Sequence, residues 1–247
     1  MGHQQIFGDA FAGRTVMLSG GTGGIGLALA QGFADCGATV IASGGSGARV
    51  AEAQQHVRPN LTFEQLDVRD NDAVRERFAR LGELDVLVNC QGIARPDDEW
   101  TEETFLDVMD INLNSAMRLA RAAHPGLRAR GGNIVNVASM LSYLADPTVP
   151  SYTASKTGIM GLTRALAHQW GADGIRVNAI APGYHKTLMT KPLWSDPEAA
   201  ERIAQRAAAK RWGTTGDLVG PTLFLASDAA AFVTGAVLPV DGGYHTG

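Results

Sequence analysis

Short apolar runs alternate along this chain with longer stretches whose apolar residues recur every three to four positions. The runs are "RTVMLS", "TVIAS", "LTFEQLDV", "LDVLVN", "NIVNVAS", "IRVNAIA" and "AVLPVDG". They are nearly continuous in Val, Ile and Leu, as strands buried on both faces are. Between them lie "GLALAQGFADC", "DAVRERFARL", "LNSAMRLARAAHPGL" and "TGIMGLTRALAHQW", each with helical periodicity. Strand and helix in strict alternation leave few solutions. The pattern predicts an α/β fold, a doubly wound parallel sheet of about seven strands with helices on both faces. The 247 residues, 45% hydrophobic and 19% charged, suit one sizeable core, so residues 1–247 are expected to form a single domain.

The turn after the first strand adds a ligand to this expectation. "SGGTGGIG", residues 19–26, joins the first strand to the first helix, with Gly20, Gly24 and Gly26 in GxxxGxG spacing. Glycines are needed where backbone turns tightly and approaches a pyrophosphate held by N–H groups at a helix N-terminus. Alone, such a cluster is also what a tight strand-to-helix turn looks like. At the first βα junction of an alternating chain it points to a Rossmann-like dinucleotide site. Asp67 in "LDVRD" and Asn89 in "NCQG" stand at later strand ends, on the edge where ligands bind in open α/β sheets.

The stretch "YTASK" follows Pro150 and opens a helical run, and Ser151 is a candidate cap for that helix. In a helix Tyr152 and Lys156 share a face, one turn apart. A cation beside a phenol favours the phenolate, so the pair suits proton transfer at neutral pH. In isolation it would serve equally as a solvated helix face.

Other functions are poorly served. The net charge is −4 and the basic residues are scattered, which argues against a nucleic-acid partner. The N-terminus "MGHQQIFGDAFAGR" lacks a basic stretch leading into an apolar core, and no apolar run is long enough to span a bilayer, so a cytoplasmic protein without a membrane partner is expected. Cys36 and Cys90 are the only cysteines, and no metal-ligand pattern accompanies them.

From Arg14 to Tyr244 the chain resembles the short-chain dehydrogenase/reductase family. The ordered motifs are the glycine turn, "DVRD", "NCQG", "DINLNSAM", "IVNVAS", "YTASK", "RVNAIAPGYHKT" and "FLASDAAAFVTGAVLPVDGG". The resemblance implies a catalytic set of Asn112, Ser139, Tyr152 and Lys156. Tyr152 would exchange a proton with the carbonyl or alcohol oxygen, Ser139 would orient that oxygen, Lys156 would hold the nicotinamide ribose, and Asn112 would anchor a relay water. It implies cofactor contacts from Gly20, Gly24, Ile25, Gly26, Ser43, Asp67, Val68, Asn89, Gly92, Tyr152, Lys156, Pro182, Gly183 and Thr187, and a homotetramer built on the helices around 112–130 and 152–171. Ser19, Ala138, Cys90 and Gln91 depart from the usual family residues; the last two sit where the backbone passes the cofactor's adenosine half.

Gly44 ends the second strand where NAD-using relatives carry an acidic residue, so NADP is the expected cofactor and NAD the alternative. Ser43, Ser46 and Arg49 are candidate phosphate partners. Residues 184–212 break the alternation and are expected to form a substrate lid. That stretch is similar to relatives acting on sugar acids and polyols, such as gluconate and 2-deoxygluconate dehydrogenases. A small polar substrate is therefore expected, with Arg95, Ser139, Tyr152 and His185 facing it, and with His185 and Lys186 adding positive character. Arg95, His185 and Lys186 read equally well as solvated loop residues. A 3-oxoacyl thioester reductase shares the same motifs and is the alternative. A cofactor-binding protein without catalysis is disfavoured by the intact tetrad.

Overall fold

The computed structural model describes residues 3–247. Seven strands form one sheet: β1 (Thr15–Ser19), β2 (Thr39–Gly44), β3 (Leu61–Gln65), β4 (Val86–Asn89), β5 (Asn133–Val137), β6 (Arg176–Pro182) and β7 (Val237–Val240). Their order is β3-β2-β1-β4-β5-β6-β7, and every pairing is parallel. The helices are α1 (His3–Phe7), α2 (Gly24–Asp35), α3 (Gly47–Ala53), α4 (Asn71–Leu81), α5 (Glu102–Met109), α6 (Ser115–Arg130), α7 (Pro150–Trp170), α8 (Lys191–Trp194), α9 (Pro197–Arg206) and α10 (Val219–Ala226). This is the doubly wound arrangement that the alternation predicts.

Both faces of the sheet are covered, which is why its central strands read as unbroken apolar runs. Every residue of β4 and β5 is buried. Alternate side chains go to opposite layers: Val16, Leu18, Val86 and Val88 pack with α2 and α10, whereas Met17, Leu87 and Ile134 pack with Leu119 and Leu127 of α6 and Trp170 of α7. Each fully buried aliphatic side chain contributes about 1.5–3 kcal/mol. The small residues of α6, Ala116, Ala120 and Ala123, are spent inside this core and face the chain's own sheet.

The chain leaves β1 towards β2 on one side and later returns to β4 on the other. The crevice at that reversal is where ligands bind in such sheets. Beneath it, Asn89 donates to Asn136 (2.8 Å) and Asn136 donates to Thr163 (2.9 Å), a buried polar strut between β4, β5 and α7.

Candidate active site

A cleft of about 700 Å³ runs along the carboxyl ends of the strands. Its floor begins at the glycine turn. Gly20 has φ +77°, and a Cβ there would stand 2.5 Å from the Gln91 nitrogen, so the β1 and β4 ends approach as only glycine allows. Gly24 also has positive φ, at +52°, and a Cβ at Gly26 would collide with the Gly20 carbonyl. Thr22 covers Gly44: a Cβ on Gly44 would meet Thr22 Oγ1 at 2.6 Å and Cγ2 at 2.7 Å.

At the end beyond β2 and β3 the lining includes Arg49, Asp67, Val68 and Arg69. Arg69 grips Asp67 through Nε (3.1 Å) and Nη2 (2.9 Å) and also reaches Asp107 (3.3 Å). Its hydrogen bonds hold the Asp67 carboxyl below the usual range, against the opposing effect of partial burial.

At the other end α7 places Tyr152 and Lys156 against the cleft beside Ser139, which follows β5. Lys156 Nζ donates to the Val137 carbonyl at 2.7 Å and lies 5.7 Å from the Tyr152 ring centroid. Burial lowers the Lys156 ammonium to about 8. The Tyr152 phenol is raised, chiefly because burial disfavours the phenolate; the Ser139 hydroxyl opposes this. The expectation that the lysine would depress the phenol thus meets a larger desolvation effect in the protein alone. Cys90, also on the lining, is pushed up to about 11 by burial and remains a thiol.

Asn112 lies in a π-helical turn, Asp110–Asn114, between α5 and α6. Such turns recur at functional sites because the extra residue re-aims a side chain. Here Asn112 Oδ1 accepts from the Ile93 nitrogen (2.9 Å), while Nδ2 donates to the Ile93 carbonyl (2.9 Å) and Ser155 Oγ (3.1 Å). It secures the backbone just after Gly92 instead of lining the cleft.

Of the residues expected at the cofactor, Gly20, Gly24, Ile25, Gly26, Asp67, Val68, Gly92, Tyr152, Lys156, Pro182, Gly183 and Thr187 all line the cleft. Ser43 and Asn89 are buried behind it, in β2 and in the polar strut. Among the expected substrate residues, His185 lines the cleft, whereas Arg95 is exposed on the loop after β4, outside the lining. His185 adds no charge at neutral pH. Burial lowers its pKa, its Nδ1–H donates to the Gly183 carbonyl (3.1 Å), and its ring lies against Gly213. Lys186 is exposed and also outside the lining.

Ser151 does not cap α7. Pro150 occupies the first helical position, and the Ser151 hydroxyl donates to Glu99 (2.7 Å), which also accepts from the Tyr152 nitrogen (2.8 Å). Thr22, Arg69 and Glu99 escaped sequence reasoning. Glu99 stands in "RPDDEWTEE", where nothing local separates it from four other acidic residues.

The adh_short_C2 family, described as enoyl-(acyl carrier protein) reductase, matches residues 20–245. This chain belongs to the short-chain dehydrogenase/reductase family. It is 40% identical to 2-dehydro-3-deoxy-D-gluconate 5-dehydrogenase of Bacillus subtilis (strain 168), over 96% of this chain and 97% of that protein. It is 37% identical to gluconate 5-dehydrogenase of Gluconobacter oxydans (strain 621H), over 98% of each chain. Among solved structures, it resembles a gluconate 5-dehydrogenase from Burkholderia cenocepacia J2315 in complex with NADP and tartrate, with TM-score 0.91 and 33% identity over 98% of this chain and 99% of that one. For this short-chain dehydrogenase/reductase, no helix among the described residues is long and apolar enough to cross a membrane, and no cluster of potential metal ligands occurs among them.

Proposed function

We propose that this protein interconverts a secondary alcohol and a ketone on a sugar acid, with NADP as the hydride carrier. The observation that carries the reading is the grouping of Ser139, Tyr152 and Lys156 at one end of a cleft whose other end is a glycine cradle. The relatives acting on gluconate and its dehydro-deoxy form support the sugar-acid class.

The cradle fits a dinucleotide. A Cβ at Gly20 would fill the space between β1 and β4, and one at Gly92 would approach Lys156 Nζ to 3.5 Å. The cofactor's own chemistry is to accept or deliver a hydride at the nicotinamide ring. Tyr152 takes the hydroxyl proton in oxidation and returns it in reduction, and Ser139 hydrogen-bonds the same oxygen and fixes its position. Lys156, with its Nζ fixed by the Val137 carbonyl, would hold the ribose hydroxyls, and its charge beside the Tyr152 ring favours the phenolate. Asn112 secures the Gly92–Ile93 backbone beside Lys156.

NADP is favoured over NAD because no carboxylate stands at the end of β2 while Arg49 and Arg69 line the cleft there. Arg95, exposed on the loop after β4, would recognise the substrate carboxylate by closing towards the cleft. Residues 184–212 act as the lid: Leu188 and Met189 line the cleft and are 62% and 51% exposed, leaving apolar surface for a bound substrate to cover. The protein works as a cytoplasmic homotetramer, and a monomer at micromolar concentration in light scattering would contradict that assembly.

Titration of the purified protein with NADPH and NADH, followed by nicotinamide fluorescence, tests the cofactor. A screen of hexonates with NADP then tests the substrate. Tighter NADPH binding and NADP-linked oxidation of an aldonate are expected. Preference for NADH, or turnover of oxoacyl thioesters instead of sugar acids, would overturn the reading.

A further inference from the structure

Glu99 is completely buried, at 0% exposure, and no other carboxylate among the described residues is so fully removed from water. Among the described residues no cation pairs with it. Its partners are three donors: the Arg95 nitrogen at Oε1 (2.8 Å), and Ser151 Oγ (2.7 Å) and the Tyr152 nitrogen (2.8 Å) at Oε2. All three donate, so both oxygens act as acceptors. A buried charge without a counter-ion is costly and persists only when its lone pairs are taken up by well-placed donors.

The position of those donors gives the charge a use. Tyr152 is the third residue of α7, and its free N–H is one that a capping side chain normally satisfies. Val149, at the cap position, has no side chain able to do so. A residue some fifty positions earlier supplies the acceptor, so the start of α7 is fixed to the loop after β4. Two further bonds stitch the same surfaces: the Asp97 nitrogen to the Thr148 carbonyl (3.0 Å) and Trp100 Nε1 to the Pro147 carbonyl (3.0 Å). Asp97 reaches its partner with φ +68°, unusual for a residue with a side chain.

We propose that Glu99 is a positioning residue for Tyr152: one buried carboxylate fixes the backbone under the phenol and the backbone of Arg95 together, joining the proton-transfer residue to the loop after β4. The groups that act on the Tyr152 phenol are Lys156 on its own helix, Ser139 after β5, Cys90 after β4 and, from its place on the Tyr152 backbone nitrogen, Glu99. Burial is the main cause that raises the phenol, and Cys90 and then the Glu99 carboxylate add to it. The assignment rests on the dehydrogenase reading of Tyr152, so its test has one readout that needs no substrate.

Glu99→Gln keeps the shape and removes the charge. However the amide turns, its NH2 faces either the Arg95 N–H or the Tyr152 N–H. Two readouts are taken on protein that binds NADPH as the wild type does. In spectrophotometric titration of tyrosinate, with Tyr152 assigned by subtracting a Tyr152→Phe variant, the midpoint should fall in Glu99→Gln and stay in place in Glu99→Asp. With the substrate turned over by the wild type, kcat should fall about tenfold to a hundredfold in Glu99→Gln, as misplacement of a reacting group does. If Glu99→Gln does not accumulate folded, Glu99→Asp carries the test, with lowered kcat and an unmoved midpoint. Wild-type kcat in either folded variant, or an unmoved Tyr152 midpoint in Glu99→Gln, overturns the proposal. A wild-type protein inactive on every sugar acid would count against the function proposed above and leave the titration result standing.

Discussion

The five glycines of "SGGTGGIG" look alike in sequence, yet a side chain would meet a different obstacle at Gly20 than at Gly24, and none at Gly23. Gly20 has φ +77° and a Cβ there would stand 2.5 Å from the Gln91 nitrogen and 2.7 Å from the Cys90 carbonyl carbon. Both neighbours are backbone and cannot swing aside. Alanine at this position meets left-handed strain of about 1–2 kcal/mol and overpacking of about 1–3 kcal/mol. The sum, roughly 2–5 kcal/mol, corresponds to a Tm lower by about 4–20 °C for a chain of this size. Gly24, with φ +52° and nothing nearer than 3.9 Å, carries the strain alone, so Gly24→Ala should lower Tm by about 2–8 °C. Gly23 has extended backbone, φ −174°, and open space where its Cβ would go, so Gly23→Ala should stay within about 0.5 kcal/mol of the wild type. Thermal unfolding by circular dichroism, with all three variants at one pH and salt, reads the series. Equal losses at Gly20 and Gly23, or a Gly24 variant less stable than the Gly20 one, would refute this account of the turn.

Tyr152→Phe should lose about 10²- to 10⁴-fold in turnover while NADPH titration stays close to wild type; an unchanged rate would remove Tyr152 from the mechanism. Lys156 is lowered from 10.5 to about 8, so between these values the unfolded chain binds the proton that the folded one releases. Its contribution to stability is therefore unfavourable by about 3 kcal/mol below pH 8 and vanishes as pH rises past 10.5. Lys156→Met should gain most in Tm over the wild type near pH 7 and lose that advantage towards pH 10, and a constant difference would contradict the cause. His185 is likewise depressed below 6.5, so folding is weakened as pH falls through that value and only the unfolded chain takes up the proton. His185→Gln should lose less stability than the wild type between pH 7 and pH 5, measured by urea unfolding.

The strands were legible because a parallel sheet buried on both faces leaves a run of apolar residues that nothing polar interrupts, as in "LDVLVN" around β4. The glycine turn and the Tyr152–Lys156 pair were legible because their chemistry depends on short spacing within one element. Side chains whose task is set by distant partners were not. Asn89 and Ser43 stand at strand ends, as ligand-binding residues do, but their side chains turn inward and only the fold shows it. His185 and Arg95 lie on loops, where direction and burial follow from packing: one is enclosed against Gly213 and the other is exposed outside the cleft lining. The sequence makes Ser151 a candidate helix cap, but its hydroxyl serves an acceptor from another loop. Nothing in the spacing of α6 could tell that Ala116, Ala120 and Ala123 face inward and not a partner subunit.

The contact of Thr22 with Gly44 bears on how cofactor preference can change in descent. Both branches of Thr22 face the place a Cβ would take, so rotating its side chain exchanges one collision for another. An acidic residue arriving at position 44 in the present background would be rejected for its bulk before its charge could select a ribose. Trimming position 22 first removes the obstacle and, by itself, alters nothing at position 44. The two positions are thus coupled: a side chain at position 44 fits only together with a smaller one at position 22, although Thr22 itself lines the cleft.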